Sequence, residues 1–566
     1  MTVRLLIAFL MMTTAGGALA AVKKLTPKAP EAAAVAASVD PVATASIARG
    51  TVYDRLIDPM TAAIRFELAE AGRNGSFLDK RDEAAVAEHY AEQGYAPSWI
   101  ADGKLTERAK TVIRRLAEAD ADGLDVSAYQ TPVLNLGEAG PMSTALLARA
   151  DVKLSLAVVT YARHAYAGRL EPGKVSGNFG YEQHLPDSVG VLADVASAAD
   201  PAAALAAYNP THPQFLRLRD KLAALRKSEV AERLVEVPVG ATLKPGMSDD
   251  RVPVLRQRMA IPAVAEGADV FDDALVVAVK AFQQSAGLKA DGMVGKGTVA
   301  ALNKVPVDPV PVILANMERW RWMPRDLGRF YVKVSIPSFR LDVMKDGKDI
   351  HTTRIVVGKV TNQTPIFSDQ IEHIIVNPSW NVPASIAKKE MLPAAQANPA
   401  SLSGYEVLAN IGGKYRPVDP YTVDWYRVDI RKIQIRQPPG ERNALGSIKF
   451  MFPNPYDVYL HDTPSKSLFQ RDYRAFSHGC MRVMDPMAFA DALLSEDGGR
   501  VSSATLKKMI GGPERMVKLS RKVPVHITYF TAEVDESGNL ALHADLYGHD
   551  KRIEAAFGLA SENPQN

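Results

Sequence analysis

Near residue 330 the hydrophobic period of this chain changes, and that change constrains its fold more than any other feature. Upstream, apolar residues recur at helical spacing: Ala109, Val112, Ile113 and Leu116 follow the start signal Leu105-Thr106-Glu107-Arg108, and Leu154, Ala157, Val158 and Tyr161 lie in a run over 150–167 stopped by Gly168. Downstream, Val332, Val334 and Ile336 alternate with Lys333 and Ser335, and strand-like runs recur at 341–344, 355–357, 371–376, 448–452 and 458–460. A helical stripe and a two-residue alternation bury their apolar faces in different ways. The chain is therefore expected to be a multidomain α+β protein. Its 566 residues, at roughly 150 per domain, leave room for three or four.

The expected order is as follows. Residues 1–20 read as a signal peptide: Arg4, an apolar run over 5–12, then Ala18-Leu19-Ala20 as a small-x-small cleavage site. That run is far short of the roughly 20 apolar residues that span a bilayer. Residues 21–50, rich in Ala, Pro and Val without period, read as a flexible linker, and 51–238 as a helical scaffold. A compact three-helix unit fills 239–304, with Val252, Leu255 and Met259 on one helix. Leu275, Val279 and Phe282 mark a second, capped by Asp272 or Asp273 and stopped by Gly287, and a third runs over 298–302 after the turn Asp291-Gly292. Gly295-Lys296-Gly297-Thr298 is not a phosphate loop, because Ala290 stands where that loop needs its first Gly. A connector at 305–330 leads to a mainly antiparallel sheet domain at 331–530, sandwich-like or barrel-like, and a C-terminal extension at 531–566. The strand rhythm breaks at about 384–422, an insertion over one end of the sheet that can serve as a substrate lid.

Charge excludes one class of partner. Lys plus Arg number 67 against 64 Asp plus Glu, a net of +3, which gives no basic footprint for nucleic acid. Cysteine excludes more. The single Cys480 rules out a disulfide framework, a thiolate zinc site and an iron-sulfur cluster together. An exported chain that keeps one thiol has either an inert buried residue or a reactive one.

The neighbours of Cys480 point to the second. Tyr459-Leu460-His461-Asp462 ends a predicted strand, and Ser477-His478-Gly479-Cys480-Met481-Arg482 follows. A cysteine nucleophile needs a base, a group orienting that base, and donors for an oxyanion. His461 can serve as base. His478 lies two residues from the thiol, Gly479 allows close backbone approach, and the Cys480 N–H can face an oxyanion. A nearby imidazolium would lower the thiol pKa. The helix opened by Asp485-Pro486 starts too far on for its dipole to hold the thiolate.

These residues resemble the L,D-transpeptidase catalytic domain, also called the YkuD domain, whose pattern is a His, a gap, then Ser or Thr-His-Gly-Cys, an apolar residue and Arg or Asn. Here His461 precedes Cys480 by nineteen positions, with Ser477, His478, Gly479, Met481 and Arg482 in place. Asn316-Met317-Glu318-Arg319-Trp320-Arg321-Trp322-Met323-Pro324, Gln363-Thr364-Pro365, Asn377-Pro378-Ser379-Trp380-Asn381-Val382-Pro383 and Gln437-Pro438-Pro439-Gly440 through Asn443-Ala444-Leu445-Gly446 resemble the large YcbB-type members, which join a scaffold, a peptidoglycan-binding domain and an inserted lid. Residues 271–295 resemble the three-helix peptidoglycan-binding domain of cell-wall enzymes.

The resemblance implies a periplasmic enzyme acting on peptidoglycan stem peptides. Cys480 would attack the diaminopimelate–D-alanine bond of a donor stem, releasing D-alanine and leaving a thioester. His461 would be the general base. His478, Gly479 and Ser477 would shape the oxyanion site, and Arg482 would position the loop or an anionic group. Trp380, Gly440, Asn443 and Gly446 would shape the substrate groove, while Asp462 departs from the small residue that usually follows this His. The acceptor would be the side-chain amine of a second stem, giving a 3-to-3 crosslink. The same chemistry with water would give a carboxypeptidase, and with an outer-membrane lipoprotein an attachment or release reaction. Peptidoglycan, such a lipoprotein and other wall-synthesis enzymes are the expected partners; no cofactor or metal is called for.

Other readings fit less well. A papain-like protease has its Cys before its His, and a sortase-like enzyme does not require Ser-His-Gly-Cys. The spacing of His543 and His549 around Asp545 matches no H-E-x-x-H helix. A non-enzymatic wall-binding scaffold would be signalled by a missing Cys or upstream His, and both are present.

Overall fold

The computed structural model describes residues 58–559 apart from 72–76, 132–142, 230–235, 260, 263, 265, 287, 304–307 and 499–500. The expected signal peptide, the linker and the Gly287 stop lie outside the described residues.

The scaffold is helical, as its period predicts. Helix Glu107–Ala117 begins where the Thr106 side chain caps the Ala109 N–H at 3.1 Å, and it buries Ala109, Val112 and Leu116. Helix Thr144–Ala167 buries Leu154, Ala157, Val158 and Tyr161 in the same core. It stops at Gly168, with φ +87°, and a Cβ there would lie 2.5 Å from Glu318 Oε1. The residue that ends this helix is thus also the one that lets another pack on it.

That other helix, Val310–Trp322, lies in the expected connector. Its residues Ile313, Leu314, Met317 and Trp320 share a core with Phe215, Leu218 and Leu222 of helix Pro213–Glu229 and with Phe530, Ala532 and Val534. Trp320 stacks on Phe530 at 4.2 Å. Its charges are buried too: Arg319 pairs with Asp550, and Glu318 accepts the Leu170 N–H at 2.7 Å.

The three-helix unit has helices Val252–Arg258, Asp273–Ser285 and Lys296–Asn303 around ten buried apolar residues, among them Leu255, Phe271, Leu275, Val279 and Leu302. Asp272 caps the second helix through the Leu275 N–H, at 3.0 Å.

The catalytic-type domain is one mixed, mainly antiparallel sheet. Its strands and those of the insertion are, in chain order, β1 Phe330–Ser335, β2 Arg340–Lys345, β3 Lys348–Gly358, β4 Ser368–Val376, β5 Trp380–Asn381, β6 Glu406–Ile411, β7 Lys414–Val418, β8 Ile433–Gln437, β9 Ile448–Met451, β10 Leu460–His461, β11 Ala475–Ser477, β12 Met481–Val483 and β13 Arg515–Thr528. The main sheet runs β11-β3-β12-β10-β9-β4-β13-β1-β2, and β2 pairs with β3 as well, so the pairings close on themselves. Three pairs are parallel: β10 with β12, β11 with β3 and β13 with β1. The insertion has its own sheet, β5-β8-β6-β7, and its own core around Val382, Leu402, Val407, Trp425 and Ile435. After β13 the chain returns as strands Ala532–Val534 and Leu540–Leu542 and helix His549–Ala556, whose Ile553 joins Tyr547 in the main core.

Candidate active site

His461 and Cys480 meet because β10 and β12 are parallel neighbours. Leu460 lies opposite Met481 and His461 opposite Arg482, while the Met481 N–H bonds the Tyr459 carbonyl at 3.1 Å. Cys480, immediately before β12, and His461, at the end of β10, line one cavity of about 490 Å³. Trp380, Glu390, Met391 and Tyr405 come to this cavity from the insertion, and Tyr456, Tyr459, Ser477, His478 and Arg482 from the sheet.

The imidazole of His461 is buried, and its Nδ1 lies 2.5 Å from the Asp462 backbone carbonyl. A carbonyl only accepts, so Nδ1 carries the proton and Nε2 keeps its lone pair. The Asp462 carboxylate does not orient this ring. It accepts from Ser447 N and Oγ, both at 2.9 Å, and from Lys466 Nζ at 2.6 Å. Burial works against its charge, but Lys466 and these donors prevail and hold its carboxyl below the usual range.

Burial sets the resting protonation of the pair. It pushes His461 down to about 3, with Arg482 adding to the effect, and it pushes the Cys480 thiol up to about 11 against the opposing pull of Tyr459, Lys449 and Arg482. The expected imidazolium beside a depressed thiol is therefore not what the site holds. At neutral pH the resting state is a neutral thiol beside a neutral imidazole.

Gly479 has φ +122°, a backbone conformation that side chains disfavour, which accounts for glycine before Cys480. Ser477 is buried at the end of β11, and its carbonyl accepts the Lys359 N–H at 2.9 Å. His478 Nε2 lies 2.6 Å from Glu390 Oε1 of the insertion and 3.2 Å from Lys359 Nζ. Arg482 lines the cavity, and its buried Nε has no hydrogen-bond partner among the described residues.

The four expected groove residues separate. Trp380 lines the cavity and meets Tyr405 at a ring distance of 6.4 Å. Asn443 is buried and donates to the Pro378, Gln437 and Pro438 carbonyls at 2.9–3.2 Å, which pins the loop whose Ala444 and Leu445 reach the cavity. Gly440 and Gly446 line a different cavity with Asp462 and Lys466. A Cβ on Gly446 would lie 2.3 Å from the Asp462 carboxylate.

Sequence reasoning passed over Tyr459, Lys449 and Glu390. Tyr459 stands edge-on to His461 at 5.7 Å, has Lys449 Nζ 5.4 Å above its ring, and opposes the upward push of burial on the Cys480 thiol. Its place two residues before His461, on the same strand face, was the available signal. Lys449 lies opposite His461 across β9 and β10, a pairing no local pattern reveals.

Three family models match the chain: an L,D-transpeptidase catalytic domain at 329–523, a scaffold domain at 84–222 and a peptidoglycan binding domain at 262–302. Residues 329–523 are thus similar to L,D-transpeptidase catalytic domains, on one chain with the matches to the other two. A Haemophilus influenzae protein whose name places it among the L,D-transpeptidases is 34% identical over 248 residues, 43% of this chain and 48% of that protein, so the match spans about half of the relative. Among solved structures, an L,D-transpeptidase of Xylanimonas cellulosilytica is 16% identical over 51% of this chain and 99% of its own, with a TM-score of 0.16. One from Mycobacterium smegmatis is 14% identical over 35% and 58%, with a TM-score of 0.17. Likenesses at these scores carry no conclusion.

Proposed function

We propose that this protein is an exported, periplasmic L,D-transpeptidase that joins peptidoglycan stem peptides through a thioester on Cys480. The observation that supports this reading is the convergence of Cys480, His461, His478 and Arg482 on one cavity of a domain matched by the L,D-transpeptidase model. Among the described residues no helix is long and apolar enough to cross a membrane.

The geometry supports the following sequence. His461 Nε2 takes the Cys480 proton as Sγ bonds the carbonyl carbon of the diaminopimelate–D-alanine bond, and the carbonyl electron pair moves to oxygen. With a resting thiol near 11 and an imidazole near 3, this transfer is unfavourable until a substrate carbonyl is in place to receive the sulfur. The Cys480 N–H faces the new oxyanion. The pair returns, the C–N bond breaks, and His461 gives its proton to the departing D-alanine amine. A second stem's side-chain amine then attacks the thioester, His461 takes its proton, and as the C–S bond breaks His461 passes that proton to Sγ, restoring the thiol and giving a 3-to-3 crosslink. In this reading Arg482 positions the loop or an anionic group of the stem.

Intact-mass measurement after incubation with a carbapenem tests the nucleophile. One adduct on the wild type and none on Cys480→Ala is expected; an adduct that persists in the variant overturns the assignment. Muropeptide profiles of host cells with and without the gene identify the acceptor. New 3-to-3 dimers support a second stem, tripeptides alone support water, and altered lipoprotein attachment supports the lipoprotein reaction.

A further inference from the structure

The carbonyl of Gly479 and the N–H of Cys480 belong to one planar peptide and point in opposite directions. Whatever fixes that carbonyl also aims the N–H that would face the oxyanion. The group that fixes it is Thr364, whose hydroxyl donates to the Gly479 carbonyl at 2.7 Å and accepts the Gly358 N–H at 2.9 Å. Thr364 is fully buried, so water is not there to substitute for either bond.

Thr364 is itself held from two sides, neither of them in the matched catalytic domain. The Tyr547 hydroxyl accepts the Thr364 N–H at 3.2 Å and donates to the Gly358 carbonyl at 2.6 Å. Tyr547 in turn gives its N–H to the Tyr529 hydroxyl at 2.6 Å, and Tyr529 donates to Asp545 at 2.8 Å. From the scaffold, Asn178 Nδ2 donates to the Thr364 carbonyl at 3.0 Å. The scaffold loop is fixed there by a parallel bridge, with the Ile366 N–H on the Asn178 carbonyl at 2.9 Å and the Gly180 N–H on the Ile366 carbonyl at 2.8 Å.

We propose that Thr364 is a positioning residue for the oxyanion site, and that the scaffold through Asn178 and the C-terminal segment through Tyr547 complete it. The inference rests on the acyl-transfer reading above and adds to it. The scaffold then has a role in the reaction step besides presenting the domain to its substrate: it holds one end of the hydrogen-bond chain that ends at the nucleophile's own peptide.

Two reactions at the same sulfur separate this role from general support. Acylation by a carbapenem places charge on a carbonyl oxygen and needs the aimed N–H. Alkylation by iodoacetamide displaces iodide at a tetrahedral carbon, forms no oxyanion, and needs only the thiolate. Loss of an oxyanion donor lowers acyl transfer by about 100–1,000-fold, so loss of its alignment in Thr364→Val is expected to lower acylation about 10–100-fold. Alkylation should stay within about twofold. Thr364→Ser, which keeps the hydroxyl, should recover most of the acylation rate. Tyr547→Phe and Asn178→Ala, milder changes that keep the packing, should each lose about 3–10-fold in acylation alone.

Equal loss in both reactions, or acylation of Thr364→Val at the wild-type rate, overturns the proposal. If Thr364→Val does not fold, Tyr547→Phe and Asn178→Ala decide by the same criterion. A wild type that is alkylated at Cys480 yet never acylated overturns the acyl-transfer reading itself, a different result from either.

Discussion

Helix Val310–Trp322 and the three-helix unit at 237–303 are both held by about a dozen side chains, yet they are held by opposite means. The first buries charge between two cores: Arg319 with Asp550 and Thr531, Arg321 with the Asp122 carbonyl, and Glu318 with the Leu170 N–H. The second closes mainly on apolar residues and keeps its buried charge to itself, Arg256 pairing with Asp272 at 2.7 Å, while its buried Gln283 serves the turn of the same unit, bonding Asp291, the Met293 carbonyl and the Gly292 N–H. Its ends are tied to each other, Asn303 bonding both the N–H and the carbonyl of Val237 at 2.8 Å. A buried charge left without its partner is costly, so the polar joint makes scaffold and sheet one thermodynamic body. A unit whose core and polar contacts lie within itself can gain or lose stability by itself.

Four measurements break or sharpen this contrast. Arg319→Ala strands Asp550 in the joint and should cost about 3–5 kcal/mol, lowering the urea midpoints of scaffold and sheet together. If only one of them moves, they are not one body. Leu275→Ala in the three-helix unit should cost about 2–3 kcal/mol, the low end for Leu→Ala because a small module can collapse around the gap. Hydrogen exchange should quicken only at 237–303, and carbapenem acylation of Cys480 should be unchanged.

The third concerns acid. Burial lowers His461 and His549 to about 3 and His212 to about 4, so each stays neutral in the fold while the unfolded imidazole takes a proton near 6.5. The unfolded state then binds more protons, and stability falls as pH drops below 6.5, by up to about 1.4 kcal/mol per pH unit for each group until its folded pKa is reached. The three-helix unit contains no histidine. Its carboxylates Asp249, Asp272 and Asp291 are lowered from 3.8, chiefly by hydrogen bonds from Arg251 and from the Leu275 and Met293 N–H groups, so its own loss begins only below that pH. Exchange protection followed from pH 7 to pH 4 should fall in the sheet and joint before it falls at 237–303; a simultaneous fall contradicts the contrast. The smallest effect is on the insertion's surface, where Arg436 and Glu406 are each about half exposed: Arg436→Ala should change stability by less than about 1 kcal/mol.

The period switch near 330 was legible because helix and strand write different spacings into neighbouring residues. Strand pairing was not, since β10 with β12, β11 with β3 and β13 with β1 join segments by position in space, and no local pattern says that two such runs lie parallel. At the site, Cys480, His461 and the Ser477–Gly479 run were readable because their chemistry is local to the motif. The loop glycines were harder. Gly440 and Gly446 both have positive φ, which marks a turn, and a turn residue does not disclose which cavity it borders. Asn443 likewise has the polarity of a ligand-binding residue but is consumed by three carbonyls of its own neighbourhood. Asp462 showed the reverse case: its backbone oxygen, and not its carboxylate, orients the His461 ring.

The parallel register of β10 and β12 has a consequence for how such a site can vary. His461 stands opposite Arg482 because adjacent strands place it there; of the chain between them Asp462 and Lys466 serve the site, while the exposed stretch 470–473 only has to return. The spacing of His461 and Cys480 along the chain is then a free length, and the exposed stretch 470–473 is a place where a reporter peptide can be inserted with the cavity intact. One extra residue within β10 would turn His461 to the other face of the sheet and end the reaction. Length is permissive between the two motifs and forbidden within them.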